Sequence, residues 1–202
     1  MGLGDSYSTP TELKTYLRIT DSADDALLTD SLATASRAID HFCGRQFNKA
    51  TSATARAFHP EQRGLLVKVD DFWTTSSLAI AVDGGNDGTY EQVLTTADYS
   101  LEPSNGVVDG ESGWPFYRIR AVNTWFPCSV RPSVQVTAQW GWTAVPPGIK
   151  QACIYLAEEV YKLKGAPFGV ASTDQFGPIR VRENPRVMAM LAPYRLDTIL
   201  IA

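Results

Sequence analysis

The stretch Trp140–Lys164, WGWTAVPPGIKQACIYLAEEVYKLK, constrains this chain more than any other. A strand pattern ends in Trp140-Gly141-Trp142, a Pro146-Pro147 turn follows, and an amphipathic helix opens. Ile149, Ala152, Cys153, Leu156, Val160 and Leu163 fall on one face of that helix. The other clear helical patterns lie before residue 45 and after residue 184. A long β-patterned segment therefore interrupts a small helical unit. The expected fold is α+β: a core of about four helices with an antiparallel β-rich insertion between the second and third. The expected divisions are 1–50 (N-terminal helical part), 51–144 (β-rich insertion) and 145–202 (C-terminal helical part with a terminal arm).

Local signals define the helices. Thr9-Pro10-Thr11-Glu12 combines a capping residue, a proline suited to the first helical position and a glutamate that closes a capping box. Leu13, Tyr16 and Leu17 share one side of this short helix. Ser22 is the expected cap of a second helix, with Asp24 and Asp25 placed favourably against its N-terminal dipole. Leu28, Leu32, Ala35, Ile39 and Phe42 form its apolar stripe, and Gly44 stops it. In the third helix Glu158 and Lys162 form an i,i+4 pair, and Gly165 is the expected terminator. A Gly/Pro-containing loop over Ala166–Pro178 and a short extended run over Ile179–Arg182 precede a fourth helix. That helix starts at Asn184-Pro185 and buries Val187, Met190 and Leu191.

Between Thr51 and Trp142 the period changes to two. Val134–Trp140 alternates apolar and polar residues without a break, which predicts a strand with one buried face. Leu65–Val69, Leu78–Val82 and Tyr117–Val122 are further strands, and Thr54–Phe58, Thr89–Leu94 and Tyr99–Leu101 carry a weaker pattern. The clusters Asp83–Gly88 and Ser104-Asn105-Gly106 read as turns. Short strands at this spacing predict a small antiparallel sandwich or barrel-like sheet.

Composition narrows the chemistry. A net charge of −4 argues against affinity of the whole protein for nucleic acid. Residues 145–202 are mildly basic, which would suit an acidic partner. The three cysteines, Cys43, Cys128 and Cys153, are odd in number and widely spaced, so a reducing cytoplasm is expected. No apolar run approaches bilayer-spanning length and no signal peptide is evident, so no membrane association is expected. His41 and His59 read as structural residues. With Cys43 and Cys128 they lack the spacing of a zinc site, and Asp83–Gly88 lacks the oxygen donors of a calcium loop. No phosphate loop, dinucleotide fingerprint or nucleophile elbow occurs. Neither catalysis nor a cofactor nor a metal is expected. Trp73, Trp114, Trp125, Trp140 and Trp142 all lie in the β segment or at its edges, where packing is their first reading and a carbohydrate platform the sharper one.

Two blocks carry a family resemblance: Ala-Ser-Arg-Ala-Ile-Asp-His-Phe-Cys-Gly-Arg-Gln-Phe within Ala35–Phe47, and Val-Pro-Pro-Gly-Ile-Lys-Gln-Ala through Phe-Gly-Val within Val145–Val170. With Thr-Pro-Thr-Glu-Leu-Lys-Thr-Tyr-Leu and Asp-Asp-Ala-Leu-Leu upstream, the order resembles the head-to-tail connector (adaptor) proteins of tailed bacteriophages, from Thr9 to about Tyr194. The resemblance implies a non-enzymatic virion protein made in the host cytoplasm. It implies a homo-oligomeric ring, commonly a dodecamer, between the portal protein and the next neck protein (a stopper or head-completion protein). DNA would pass through the lumen without sequence-specific binding, and net negative charge would suit that passage. Heterologous ring contacts would use the exposed sides of the second and third helices, with Asp30, Arg37, Asp40, Glu158 and Lys162 as candidates. A portal-contact arm would comprise Tyr194, Arg195, Leu196, Ile199, Leu200 and Ile201, unless that segment packs on its own subunit. The alternatives are another neck or head-completion protein, or a carbohydrate-binding module built on the Trp-rich segment.

Overall fold

The computed structural model describes residues 4–163 and 184–196. The chain divides into two compact units, one comprising residues 3–48 with 144–202 and the other residues 49–143. The first is helical and the second is β, so the α+β class with a β-rich segment between the second and third helices is observed.

In the helical unit, α1 (Pro10–Leu17) starts as its sequence dictates. The Thr9 hydroxyl accepts from the Glu12 N–H at 3.2 Å, and the Glu12 carboxylate accepts from the Thr9 N–H at 2.9 Å. Two orphan donors of the first turn are thereby satisfied reciprocally. Leu13 is fully buried, but Tyr16 is 43% exposed and does not share that buried side. The helix α2 (Asp25–Cys43) begins later than expected. Asp24 holds the cap position and Ser22 contributes only its carbonyl, because Asp21 has already turned the chain by accepting from the Ala23 N–H at 3.0 Å. Leu28, Leu32, Ala35 and Ile39 are fully buried, Phe42 is half-buried, and Gly44 closes the helix with φ of 67°.

Helix α3 (Pro147–Lys162) packs along α2, burying Ile149, Ala152, Cys153 and Leu156 completely, while Val160 and Leu163 are half-buried. Helix α4 (Pro185–Leu191) is capped by Asn184, whose side chain accepts from the Val187 N–H at 3.2 Å. It sets Val187 and Leu191 in the core and leaves Met190 half-buried. A 3-10 turn, Ala192–Tyr194, follows it. The expected terminator Gly165, the loop Ala166–Pro178 and the run Ile179–Arg182 lie outside the described residues.

The β unit contains β1 (Thr54–Phe58), β2 (Pro60–Glu61), β3 (Leu66–Val82), β4 (Gln92–Val93), β5 (Tyr99–Glu102), β6 (Val107–Val108), β7 (Glu111–Ser112), β8 (Phe116–Ala121) and β9 (Val134–Trp140). Seven of these make one antiparallel sheet with the path β1-β9-β3-β8-β5, to which β2 and β4 add by pairing with β3. The antiparallel pairing is as expected, and these seven strands run in one sheet that is bulged along β3. The two strands expected at Leu65–Val69 and Leu78–Val82 are the ends of the single strand β3. Their polar middle, Asp70–Ser77, hides the continuity because β3 is bulged there: register slips between Lys68 and Phe72, between Phe72 and Thr74, and between Thr74 and Ala79. Along this irregular strand the buried positions change from Val67 and Val69 to Phe72, Ile80 and Val82.

Strand β9 keeps strict alternation, burying Val134, Val136, Ala138 and Trp140. These join Ile119, Leu94 and Phe126 in one apolar core. Trp140 is 1% exposed and donates from Nε1 to the Thr54 carbonyl at 2.9 Å. Beyond it the chain turns at Gly141 (φ 98°), whose N–H donates to the Asp71 carbonyl. The Trp142 indole then donates to the Asp71 carboxylate at 2.8 Å. Strands β6 and β7 form a separate two-stranded ribbon. Its turn, Asp109-Gly110, has positive φ at both positions, as a tight hairpin requires.

Candidate interaction surfaces

His41 and His59 are both exposed, and among the described residues no cluster of three or more His, Cys, Asp or Glu side chains is placed to hold a metal. Burial pushes the Cys43 thiol up to about 12 and raises that of Cys153 as well, so both behave as small core residues. In the Asp83–Gly88 turn, the buried Asp83 carboxylate accepts the N–H groups of Asp87 and Gly88 and folds the loop around itself. A shallow open cleft of about 530 Å³ beside it is lined by Asp83, Asn86, Cys128 and Val130 without convergent ionisable groups. Among the described residues, no helix is long and apolar enough to cross a membrane.

Four of the five tryptophans are wholly or partly buried. Trp140 and Trp142 are buried and Trp73 and Trp114 half-buried, with Trp114 tilted against Trp142 at 5.1 Å. Only Trp125, 68% exposed, is free to meet a ligand, and a stacking platform needs coplanar neighbours.

The expected ring-contact residues fall on the helical unit, where most engage their own chain. Asp30 is exposed on α2. Arg37 pairs with Asp40 at 2.9 Å, donates to the Asp5 carbonyl and lies over the Tyr7 ring. Asp40 is half-buried and also accepts from the Tyr7 hydroxyl; burial raises its carboxyl pKa against the pull of Tyr7 and Arg37. The same hydroxyl accepts from the Phe47 N–H at 3.1 Å, and burial, followed by the bond to Asp40, drives its own pKa far upward. Glu158 accepts from Lys162 at 2.6 Å and from the Tyr16 hydroxyl at 3.0 Å. The i,i+4 spacing of Glu158 and Lys162 was legible in sequence; the tyrosines that share the Asp40 and Glu158 carboxylates come from elements far along the chain.

The first three residues of the expected arm dock within the helical unit. The Tyr194 ring meets Phe47 edge-on at 5.7 Å and lies against Gly148. The Arg195 guanidinium covers the Phe42 ring at 5.1 Å, and the Leu196 N–H donates to the Cys43 carbonyl at 2.9 Å. That carbonyl is one of the groups left orphaned at the end of α2, so Leu196 supplies a cap. Ile199, Leu200 and Ile201 lie outside the described residues.

Residues 8–84 match the sequence profile of the family described as phage gp6-like head-tail connector protein. The head-tail connector resemblance holds. The matched segment takes in α1, α2 and the strands through β3, which is less than half of the chain. Among solved structures, a chain from the neck of an empty gene transfer agent (GTA) particle, computed with C6 symmetry, superposes with a TM-score of 0.59 at 20% identity, covering 96% of this chain and 91% of that one. A chain from the virion of the native gene transfer agent particle gives 0.58 at 20% identity with the same coverage. A chain from the native GTA neck, computed with C12 symmetry, gives 0.52 at 20% identity over 100% of this chain and 99% of that one. The helical unit and its β segment thus occur together in these folds. No curated protein matches the chain significantly.

Proposed function

We propose that this protein is a non-enzymatic structural component of a virion neck, a head-tail connector that assembles as a homo-oligomeric ring. The observation that carries the reading is the connector-family match over residues 8–84, supported by a fold similar to neck chains across nearly its whole length. In the finer form of this reading the ring is a dodecamer seated between the portal protein and the next neck protein. DNA passes through its lumen without sequence-specific contact, and a net charge of −4 would limit retention of the phosphate backbone. The exposed faces of α2 and α3 supply ring contacts, and the segment after Leu196 reaches the portal.

The docked Tyr194–Leu196 segment gives the arm a fixed point of departure. Electron microscopy of the full chain with the portal protein of the same genome tests the role. A ring stacked coaxially on the portal is expected. Deleting residues 197–202 should weaken stacking while leaving the Leu196 cap intact. A ring that stacks equally well after that deletion discards the arm and retains the connector. Absence of any association with the portal overturns the portal-adaptor reading.

A further inference from the structure

Two features of the β unit carry charge that no ion pair among the described residues satisfies. The first is a basic row on the sheet surface opposite Ile119. Arg118 and Arg120 flank Ile119 on β8, so both point away from the core. In register with Arg118 stand Lys68 on β3 and Glu102 on β5. Lys68 is paired with Glu61 at 3.0 Å, and Glu102 is taken by Arg120 at 2.6 Å. That leaves Arg118 with no carboxylate in ion-pairing reach among the described residues. Its Nε–H is shielded from solvent and makes no hydrogen bond. The Arg118 guanidinium lies over the Tyr117 ring at 5.2 Å, and with the like charge of Lys68 directly across the ladder an added acid here would be favourable.

The second is the β6–β7 ribbon. It is an isolated two-stranded sheet with no further strand on either side, an arrangement that is marginal alone. Val107–Ser112 carries two acidic residues and no basic one. Asp109 and Glu111 are exposed and form no ion pair among the described residues.

We propose that these two features meet between copies: the acidic ribbon of one protomer docks on the Lys68–Arg118 row of the next. The charges are complementary, and among the described residues no ion pair joins the two halves within one chain. Such a contact is heterologous, the kind that closes rings. The inference rests on the ring reading above and adds to it a contact made by the β unit.

The test is disulfide trapping and charge reversal in the full chain, alone and mixed with the portal protein. In a Cys128→Ser background, the pair Lys68→Cys and Glu111→Cys should give a ladder of cross-linked multimers under mild oxidation, while either single variant should stop at dimers. Glu111→Arg, at an exposed position that does not threaten folding, should weaken self-association about tenfold or more. Combining Glu111→Arg with Arg118→Glu and Lys68→Glu should restore it. Added salt should weaken the wild-type contact. No ladder in either setting overturns the contact. So does a Glu111→Arg chain that forms rings as readily as wild type, and in that case the connector reading stands. Failure of the wild-type chain to associate with the portal at all strikes the adaptor reading instead.

Discussion

The helical and β units solve the same problem by different means. In the helical unit almost every device is local: a capping box at Thr9, an i,i+4 stripe along α2, a proline at the start of α3 and an asparagine cap on α4. Two of its surface ion pairs are also local, Arg37–Asp40 and Glu158–Lys162, while Glu12 pairs with Lys150 from the distant α3. In the β unit the decisive contacts join distant segments, such as Trp140 to Thr54 and Trp142 to Asp71. Apart from Tyr16 and Met188, the exposed large apolar residues of the described chain all lie in this unit, including Val122, Trp125 and Val130. Among the described residues, the helical unit therefore exposes fewer large apolar side chains than the β unit does.

The five tryptophans give a way to break that contrast, since all lie in the β unit and their fluorescence reports it alone. Trp140→Ala empties the centre of the sheet core and should cost about 3–5 kcal/mol. In a denaturant titration the fluorescence midpoint should fall, with the helical far-UV signal moving less. Equal shifts in both probes would show that the two regions do not stand on separate cores.

Ile39→Ala, in the α2 stripe, should cost about 2–5 kcal/mol and reverse the order of the two probes. At Gly64, φ is +84° and a Cβ would run into the Phe126 carbonyl oxygen. Gly64→Ala should therefore destabilise the β unit by about 1–3 kcal/mol, read from the fluorescence midpoint. Thr9→Ala, which removes a single cap, should cost about 1 kcal/mol in the far-UV signal.

The smallest effect concerns pH. Hydrogen bonds from Ser8 and the Thr9 N–H, with help from Lys150, lower the Glu12 carboxyl from 4.5 to about 2. A depressed carboxylate pKa stabilises the fold above the unfolded value, and that contribution is lost as pH falls from about 4.5 towards 2. Glu12→Gln should flatten the helical unit's stability in that window, measured by far-UV melts at stepped pH. An unchanged slope would remove Glu12 from the account of how α1 is held.

Sequence alone determined what neighbouring residues decide. Thr9, Pro10 and Glu12 start α1, Gly44 stops α2, Asn184-Pro185 opens α4, and Val134–Trp140 alternates because one face is buried. These signals operate within one or two turns or along one strand, so they survive in the linear order. The Asp109-Gly110 turn was equally present, yet the two-residue strands beside it are too short to register as a period. The Glu158–Lys162 pair of the proposed ring face was legible as a spacing, but the tyrosines that share Asp40 and Glu158 were not.

Tertiary structure alone decided that β3 is one strand, where its burial pattern changes, that Trp140 and Trp142 are buried while Trp125 is exposed, and that Arg118 pairs with no acid among the described residues. The physical reason is that strand pairing and burial join residues far apart in the chain. Their register depends on which partner strand arrives, and no local pattern records that choice.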